Sequence, residues 1–515
     1  MLSGSRQRLF PVFLALLLLG CFAIQSAGAS NTPRAATANH APRGALQALL
    51  TGGEWPNLDP ALDTQAAADA TMMNAVFGGL FEFPAGKPVI DDEATGYKFI
   101  NNGMTFEVTL RHGLTFSNGD PLNASVVAAN IVRDLLPASA CICAPNFAAV
   151  SSVTASGQYT VVFTLSRPFP SLVYSFDNTA PNWMADLSVL AQKGSGAFGQ
   201  APVGAGPFEI VSNSASATLA LQANPDYWLA GHPLLKNLTF VSIGSDESAY
   251  DSILAGQSQV ATNVTTIPLA IQARSSKSVK VLVSPATGYN FVEMNAKAPP
   301  FNNILAREAI YFATNPTSIV KNLYHGVYKV VESATAAGET VYLPTIPGYR
   351  TYNLKKAKAL VKQLGGLTIT LGGLTNTQYW QTEQEALAAQ WEQAGITVNI
   401  QINSLQNYLQ QIGSGNWQAM DTQWATPAPE LGLPSHFSST APLSGTHDPA
   451  VDALMNQAAA TTSRARINTL YKKLFETMNS DADVAFLYSK PVITIVGKSV
   501  SGTTAVENSF WEDVS

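Results

Sequence analysis

Cysteine and charge are both scarce in this chain. Only three of its 515 residues are Cys and 12% are charged, so the surface is made largely of Ser, Thr, Asn, Gln, Gly and Ala; an average soluble protein carries about 25% charged residues. The 29 basic residues are outnumbered by 35 acidic ones. That balance excludes the broad basic field that draws proteins to phosphate backbones, and nucleic acid is not an expected partner. Beyond the first thirty residues no run of 18 apolar residues occurs, so no permanent membrane-spanning helix is expected. The chain has no G-x-S-x-G elbow and no H-E-x-x-H pair, which weakens a hydrolase reading. Its six His (His40, His112, His232, His325, His436, His447) form no close pair, so neither a metal nor another cofactor is expected.

Two short motifs that are present do not carry their usual chemistry. Gly194 to Gly199 satisfies G-x-G-x-x-G, but a helix-like stretch precedes it and Gln200-Ala201-Pro202 follows. A dinucleotide fingerprint needs a strand before and a helix after, so the segment reads as a surface loop. Gly497-Lys498-Ser499 echoes the end of a P-loop, yet Val492 lies five residues earlier within an apolar strand, where no phosphate cradle forms. The lysines at 355, 356, 358 and 362 fit one solvated helix face.

What is present begins with a leader. Arg6 and Arg8 precede an apolar stretch from Leu9 to Gly20, and Ala27-Gly28-Ala29 is a small-residue cleavage pattern before Ser30. Residues 1–29 therefore read as a bacterial secretory signal. Leu18-Leu19-Gly20-Cys21 supplies a second signature in the same stretch, resembling the lipobox of bacterial lipoproteins, with residues 1–20 removed and Cys21 lipidated. Either route discards two basic residues and leaves 27 against 35 acidic, a net charge of −8. The two remaining cysteines, Cys141 and Cys143, close a small local disulfide or stay as thiols.

Residues 30–43 are a Thr, Ala, Asn and Pro mixture without periodicity, as expected of a disordered tether. Strands are expected at Ala45 to Thr51, Thr105 to Arg111, Tyr159 to Ser166, Leu367 to Leu371 and Thr397 to Ile402. Asn123 is placed to cap a helix from Ala124 to Leu136. Further helices are expected at Ser248 to Ala255, Ile304 to Ala313, Leu354 to Leu364, Glu383 to Ala394, Pro449 to Ala460 and Arg464 to Met478. Strands and helices that alternate with short turns imply an α/β protein of several lobes.

Longer blocks then appear in a characteristic order: Gly52 to Pro60; Phe106 to Leu122; Gly204-Ala205-Gly206-Pro207-Phe208; Asn224-Pro225-Asp226-Tyr227-Trp228; Asn295 to Ile310; and His447 to Leu454 with Arg466 to Phe475. Their order and spacing resemble bacterial extracellular solute-binding proteins of family 5, the peptide- and nickel-type binding components of ABC importers. The resemblance implies a bilobal periplasmic-binding-protein type II (cluster C) fold with an extra subdomain inserted in the first lobe. Lobe I would hold residues 44–60, 200–280 and 486–515, the inserted subdomain 61–199, and lobe II 281–485. It also implies a non-enzymatic protein, monomeric and extracytoplasmic, that closes on a small solute and presents it to permease subunits. A ligand-sensing receptor of the same fold is one alternative; a secreted hydrolase is another, from a different class.

Peptide-binding members of the family hold the peptide amine with an Asp in a W-x-x-D pattern. In this chain Pro427 stands at that position after Trp424, and neither Glu430 nor Asp421 has the matching spacing. Trp424 matches a family cleft position. Trp55, Tyr289, Asn290, Trp380 and Trp417 join it as candidate ligand contacts because they adjoin lobe-crossing or cleft-edge blocks, and broad cavities of this kind are lined by aromatics with a few polar groups.

Overall fold

Alternation dictates the smallest of the three main sheets. Along Thr105–Leu110 the residues Phe106, Val108 and Leu110 turn inward and are at most 2% exposed, as are Val161, Phe163 and Leu165 along Thr160–Leu165. The two strands pair antiparallel with Phe106 opposite Phe163, and Ala94–Ile100 and Val150–Ser156 complete a four-stranded antiparallel sheet. Helix Ala124–Leu135 closes its apolar face with Val127 and Ile131. The helix starts where expected because the Asn123 side chain accepts from the Ser125 and Val126 amides at 3.0 and 3.2 Å, a cap worth about 1 kcal/mol. This computed structural model describes residues 41–515 except 52–54, 56, 63–66, 140, 215–216, 375–377, 427, 442–443, 446–447 and 504–510.

A seven-stranded sheet gathers segments from distant parts of the chain. Its order is Val279–Val283, Ile493–Gly497, Val260–Thr262, Ala45–Thr51, Asn237–Ile243, Thr218–Ala223, Phe208–Ser214. The blocks at 204–208 and 224–228 meet beside it: the Asn224 side chain donates to the Gly206 carbonyl at 2.8 Å and the Asn224 amide to the Pro207 carbonyl at 2.9 Å. A Cβ at Gly206 would lie 2.5 Å from the Gly78 nitrogen, so only glycine permits this backbone approach.

The third sheet has six strands in the order Lys329–Val330, Val484–Ser489, Gly288–Met294, Ala419–Ala425, Leu367–Leu374, Ile396–Asn403. Its central strands are apolar on both faces. Val292 and Met294 face a core shared with helices Ile304–Ala313 and Leu354–Gln363, while Tyr289 and Phe291 face one shared with Pro429–Phe437, Pro449–Ala459 and Arg464–Asp481. Helices thus cover both sides, the arrangement that near-continuous hydrophobic strands require.

Two short segments, 284–287 and 490–492, carry the chain between the seven- and six-stranded sheets. They are tied to one another. Ser284 donates its amide to the Val492 carbonyl at 3.0 Å and its Oγ accepts from the Val492 amide at 2.9 Å, while the Lys490 amide donates to the Gly288 carbonyl at 3.2 Å.

Three expectations need correction. The G-x-G-x-x-G segment is no surface loop: it lies within helix Leu187–Gln200, which kinks at Gly194 where φ is +74°. The helix expected from Glu383 begins earlier, at Gln378. Val492 precedes its strand, which starts at Ile493. Cys141 and Cys143 are joined in a disulfide. Cys21, residues 30–40 and Pro427 lie outside the described residues. No helix among the described residues is long and apolar enough to cross a membrane.

Candidate functional site

The crossing segments open onto a cavity of about 800 Å³, the scale of a small-molecule site. One wall comes from the six-stranded sheet. Gly288–Met294 and Ala419–Ala425 run antiparallel in a register that sets Tyr289 opposite Trp424 and Asn290 opposite Gln423, and all four line the cavity. The facing wall comes from residues 83–89, Asn146, Tyr174 and residues 177–179. Ser284 and residues 490–492 close one end. The walls touch where the Gly86 amide donates to the Gly338 carbonyl at 2.9 Å.

Three of the six sequence-selected contacts therefore face the cavity: Trp424, Tyr289 and Asn290. The other three do not. Trp55, 1% exposed, packs in the core of the seven-stranded sheet and donates its indole N–H to Asn213 Oδ1 at 3.1 Å. Trp417 joins Tyr408, Ile412 and Met420 in a small buried cluster. Trp380 is buried on helix Gln378–Gln393 and is not among the lining residues. For Trp55 and Trp417, large apolar area found a core to fill, an outcome local sequence does not separate from ligand contact.

The Trp424 indole lies against Gly432, where a Cβ would come within 2.0 Å of Nε1, and its ring meets that of His436 at 4.8 Å. His436 Nδ1 in turn lies 3.7 Å from Glu293 Oε2. Glycine at 432 is thus a condition for the indole to occupy its place.

Three of the lining residues carry buried polar atoms that are incompletely bonded. Tyr289 and Asn290 are each 1% exposed, and neither the Tyr289 hydroxyl nor the Asn290 Nδ2 has a hydrogen-bond partner. Glu339 is 7% exposed and both of its carboxylate oxygens are buried, with the Ala336 amide as their one neighbouring donor. Burial pushes Glu339 well above the ordinary carboxylate range; the Ala336 amide opposes the shift and the nearby Glu430 charge adds to it. Burial likewise raises the Tyr289 hydroxyl, with Glu339 and Glu293 reinforcing it. Buried polar groups are normally hydrogen-bonded, so three such residues in one cavity are unusual.

Cations are arranged higher on the walls. Lys87, Lys490 and Arg464 line the cavity, against Asp177 and Glu339 as the acids. Three cations against two acids leave the lining net positive. Arg464 donates to the Thr340 carbonyl and also interacts with Tyr174 and Glu430, so it bridges the two walls.

The acids weighed from sequence as stand-ins for the amine-binding Asp lie elsewhere. Asp421 is buried near Glu383, which with burial pushes its carboxyl well above the usual range, and it does not line the cavity. Glu430 is buried behind Glu339, where burial raises it against the opposing influences of Arg464, Tyr471 and Ser171. Sequence reasoning missed Glu339, Lys87, Asp177 and Arg464 as a group. Glu339 stands alone in a loop without periodicity, and no local signal marked it.

The chain matches the model for bacterial extracellular solute-binding proteins, family 5 (middle), over residues 90–441. It is 25% identical over 489 residues to the glutathione-binding protein GsiB of Pectobacterium atrosepticum, with 90% of this chain and 92% of that protein covered. Among solved structures it is similar to AgaA of A. tumefaciens R10 in complex with agropinic acid, at a TM-score of 0.76 and 18% identity, covering 92% of this chain and 98% of the other. It is also similar to the oligopeptide-binding AppA of Bacillus subtilis in complex with a nonapeptide, at a TM-score of 0.75 and 19% identity, covering 92% and 99%.

Proposed function

The chain belongs to the bacterial extracellular solute-binding proteins of family 5, binding proteins of ABC transporters, and from that premise we propose that its cavity captures a small, polar, peptide-like solute for delivery to a membrane permease. The observation that carries this reading is the cavity at the two crossing segments, with Tyr289, Asn290 and Trp424 on one wall and the loop at 83–89 on the other. Its volume of about 800 Å³ suits a solute of two to four residues better than a long peptide.

Capture works by closure. Residues 44–60, 200–280 and 486–515 form one lobe, with 61–199 inserted, and 281–485 form the other. A solute that touches both walls makes contacts only the closed form offers, and it shifts the equilibrium by that difference alone. The protein acts as a monomer outside the cytoplasmic membrane, either anchored through a lipid on Cys21 or released by cleavage after Ala29.

A thermal-melt panel tests the reading with glutathione, short peptides, opines and nickel chelates as probes. A true solute at about 100 times its Kd stabilises the fold by about 2.7 kcal/mol, which raises Tm by about 3 °C for a chain of this size. Saturable stabilisation with the solute recovered intact supports capture. Conversion of the solute to product would overturn it.

A further inference from the structure

The two walls of the cavity also hold each other directly. Helix Pro429–Phe437, on the side of the six-stranded sheet, packs against the turn Pro170–Phe176 of the inserted segment. Its Leu431 is half-buried against the core of the four-stranded sheet, a core to which Leu172, Val173 and Phe176 of that turn belong. Glu430, one residue earlier, meets the Ser171 hydroxyl. Arg464, at the start of helix Arg464–Asp481, donates to the Tyr174 hydroxyl and to the Thr340 carbonyl. The turn at 170–176 is thus met three times from the opposite wall, by an apolar side chain, a carboxylate and a guanidinium. Parting the walls would return Leu431 to water and take these partners from Glu430 and Arg464.

Resting on the closure reading above, we propose that Leu431, Glu430 and Arg464 are positioning residues for capture: with Ser171 and Tyr174 they form a latch that populates the closed form in advance of the solute. The latch gives the inserted segment 61–199 a task, as the seat on which helix Pro429–Phe437 closes. All of its contacts run from protein to protein, so its strength does not depend on what the cavity holds. A ligand that needs one conformation binds with its intrinsic affinity multiplied by the fraction of molecules already in that conformation. The latch therefore tightens the binding of every solute by one common factor, and discrimination among solutes stays with the cavity lining. A tenfold drop in the closed fraction weakens all of them about tenfold.

The test is small-angle X-ray scattering of the full-length mature protein, recorded with no probe added and on samples that native mass spectrometry shows to carry no bound molecule. Wild type is compared with Leu431→Asp, Arg464→Ala and Ser171→Ala, and the melt of each is recorded alongside. The last two change exposed or small side chains, so they keep the test open where Leu431→Asp fails to fold. The expected wild-type curve matches the one calculated from the closed structure. Each variant should shift to a larger radius of gyration at a wild-type melt, Leu431→Asp furthest, a change that loss of a purely structural contact would not produce. A wild-type curve already wider than the closed structure overturns the latch. So do variants that fold and scatter as wild type does. Both failures leave solute capture standing, because no solute takes part in the measurement and the melt panel decides capture separately.

Discussion

Two buried carboxylates, Asp59 and Glu339, differ in company more than in burial. Asp59 is 0% exposed, and its oxygens accept from Arg133 Nη2 at 2.7 and 2.6 Å, from Ser195 Oγ at 2.6 Å and from the Ala61 amide at 3.2 Å. Glu339 has only the Ala336 amide beside it. The first is a junction: it ties the segment before residue 60 to helix Ala124–Leu135 and to helix Leu187–Gln200, and it is complete without a visitor. The second is incomplete in a cavity wall. A third acid shows that want of a partner is not enough to mark a site. Glu93 is 0% exposed, both of its oxygens are unbonded, and burial pushes it up to about 8, yet it lies outside the cavity. Position in the cavity is what separates Glu339 from Glu93.

The contrast is broken most directly at Asp59. Asp59→Ala leaves Arg133 without its principal ion-pair partner and should cost about 3–5 kcal/mol in urea unfolding with no change in solute affinity. A loss below about 1 kcal/mol would mean that the paired acid does not hold the fold.

Glu93 sharpens the contrast through pH. Its folded pKa of about 8 stands above the ordinary 4.5, so the folded state keeps a proton that the unfolded state gives up between those values. Stability is greatest below about 4.5 with respect to this group, falls as pH rises through the window, and levels off above about 8. Glu93→Gln should remove that slope and gain about 3 kcal/mol over the wild type at pH 8.5, read from unfolding midpoints across pH.

Next in size, Trp424→Ala should weaken solute binding about 30-fold, about 2 kcal/mol, by emptying a wall of the cavity. The smallest effect is expected at Lys87, which is exposed. Lys87→Ala should reduce affinity for an anionic solute about two- to threefold, and the difference should vanish at 0.5 M salt.

How much of this was legible in the sequence follows from how local each cause is. The strand at Thr105–Leu110 and the cap at Asn123 were readable because alternation and capping act within a few residues. So were the helices from Ile304 and Pro449, which begin behind capping side chains of Asn303 and Asp448. The kinked helix through Gly194 was hidden because three glycines argue against helix, and packing of Phe198 overrides them. The site was half legible. Trp424 and Tyr289 could be proposed singly, but their apposition depends on the register between two distant strands. Trp55 and Trp417 carried the same local signal and went to cores. Glu339 had no signal, because its meaning comes entirely from what fails to surround it.

The seven-stranded sheet has a consequence for when this protein becomes itself. Its centre alternates early and late chain: Val260–Thr262 pairs with Ala45–Thr51 on one side and with Ile493–Gly497 on the other. A chain delivered N-terminus first, from a ribosome or through an export channel, cannot finish that sheet until the residues beyond 493 have emerged. Such non-local pairing slows folding, so Val260–Thr262 waits with one edge unsatisfied until Ile493–Gly497 arrives. The topology postpones commitment to the fold until the polypeptide is nearly all on one side of whatever pore it leaves.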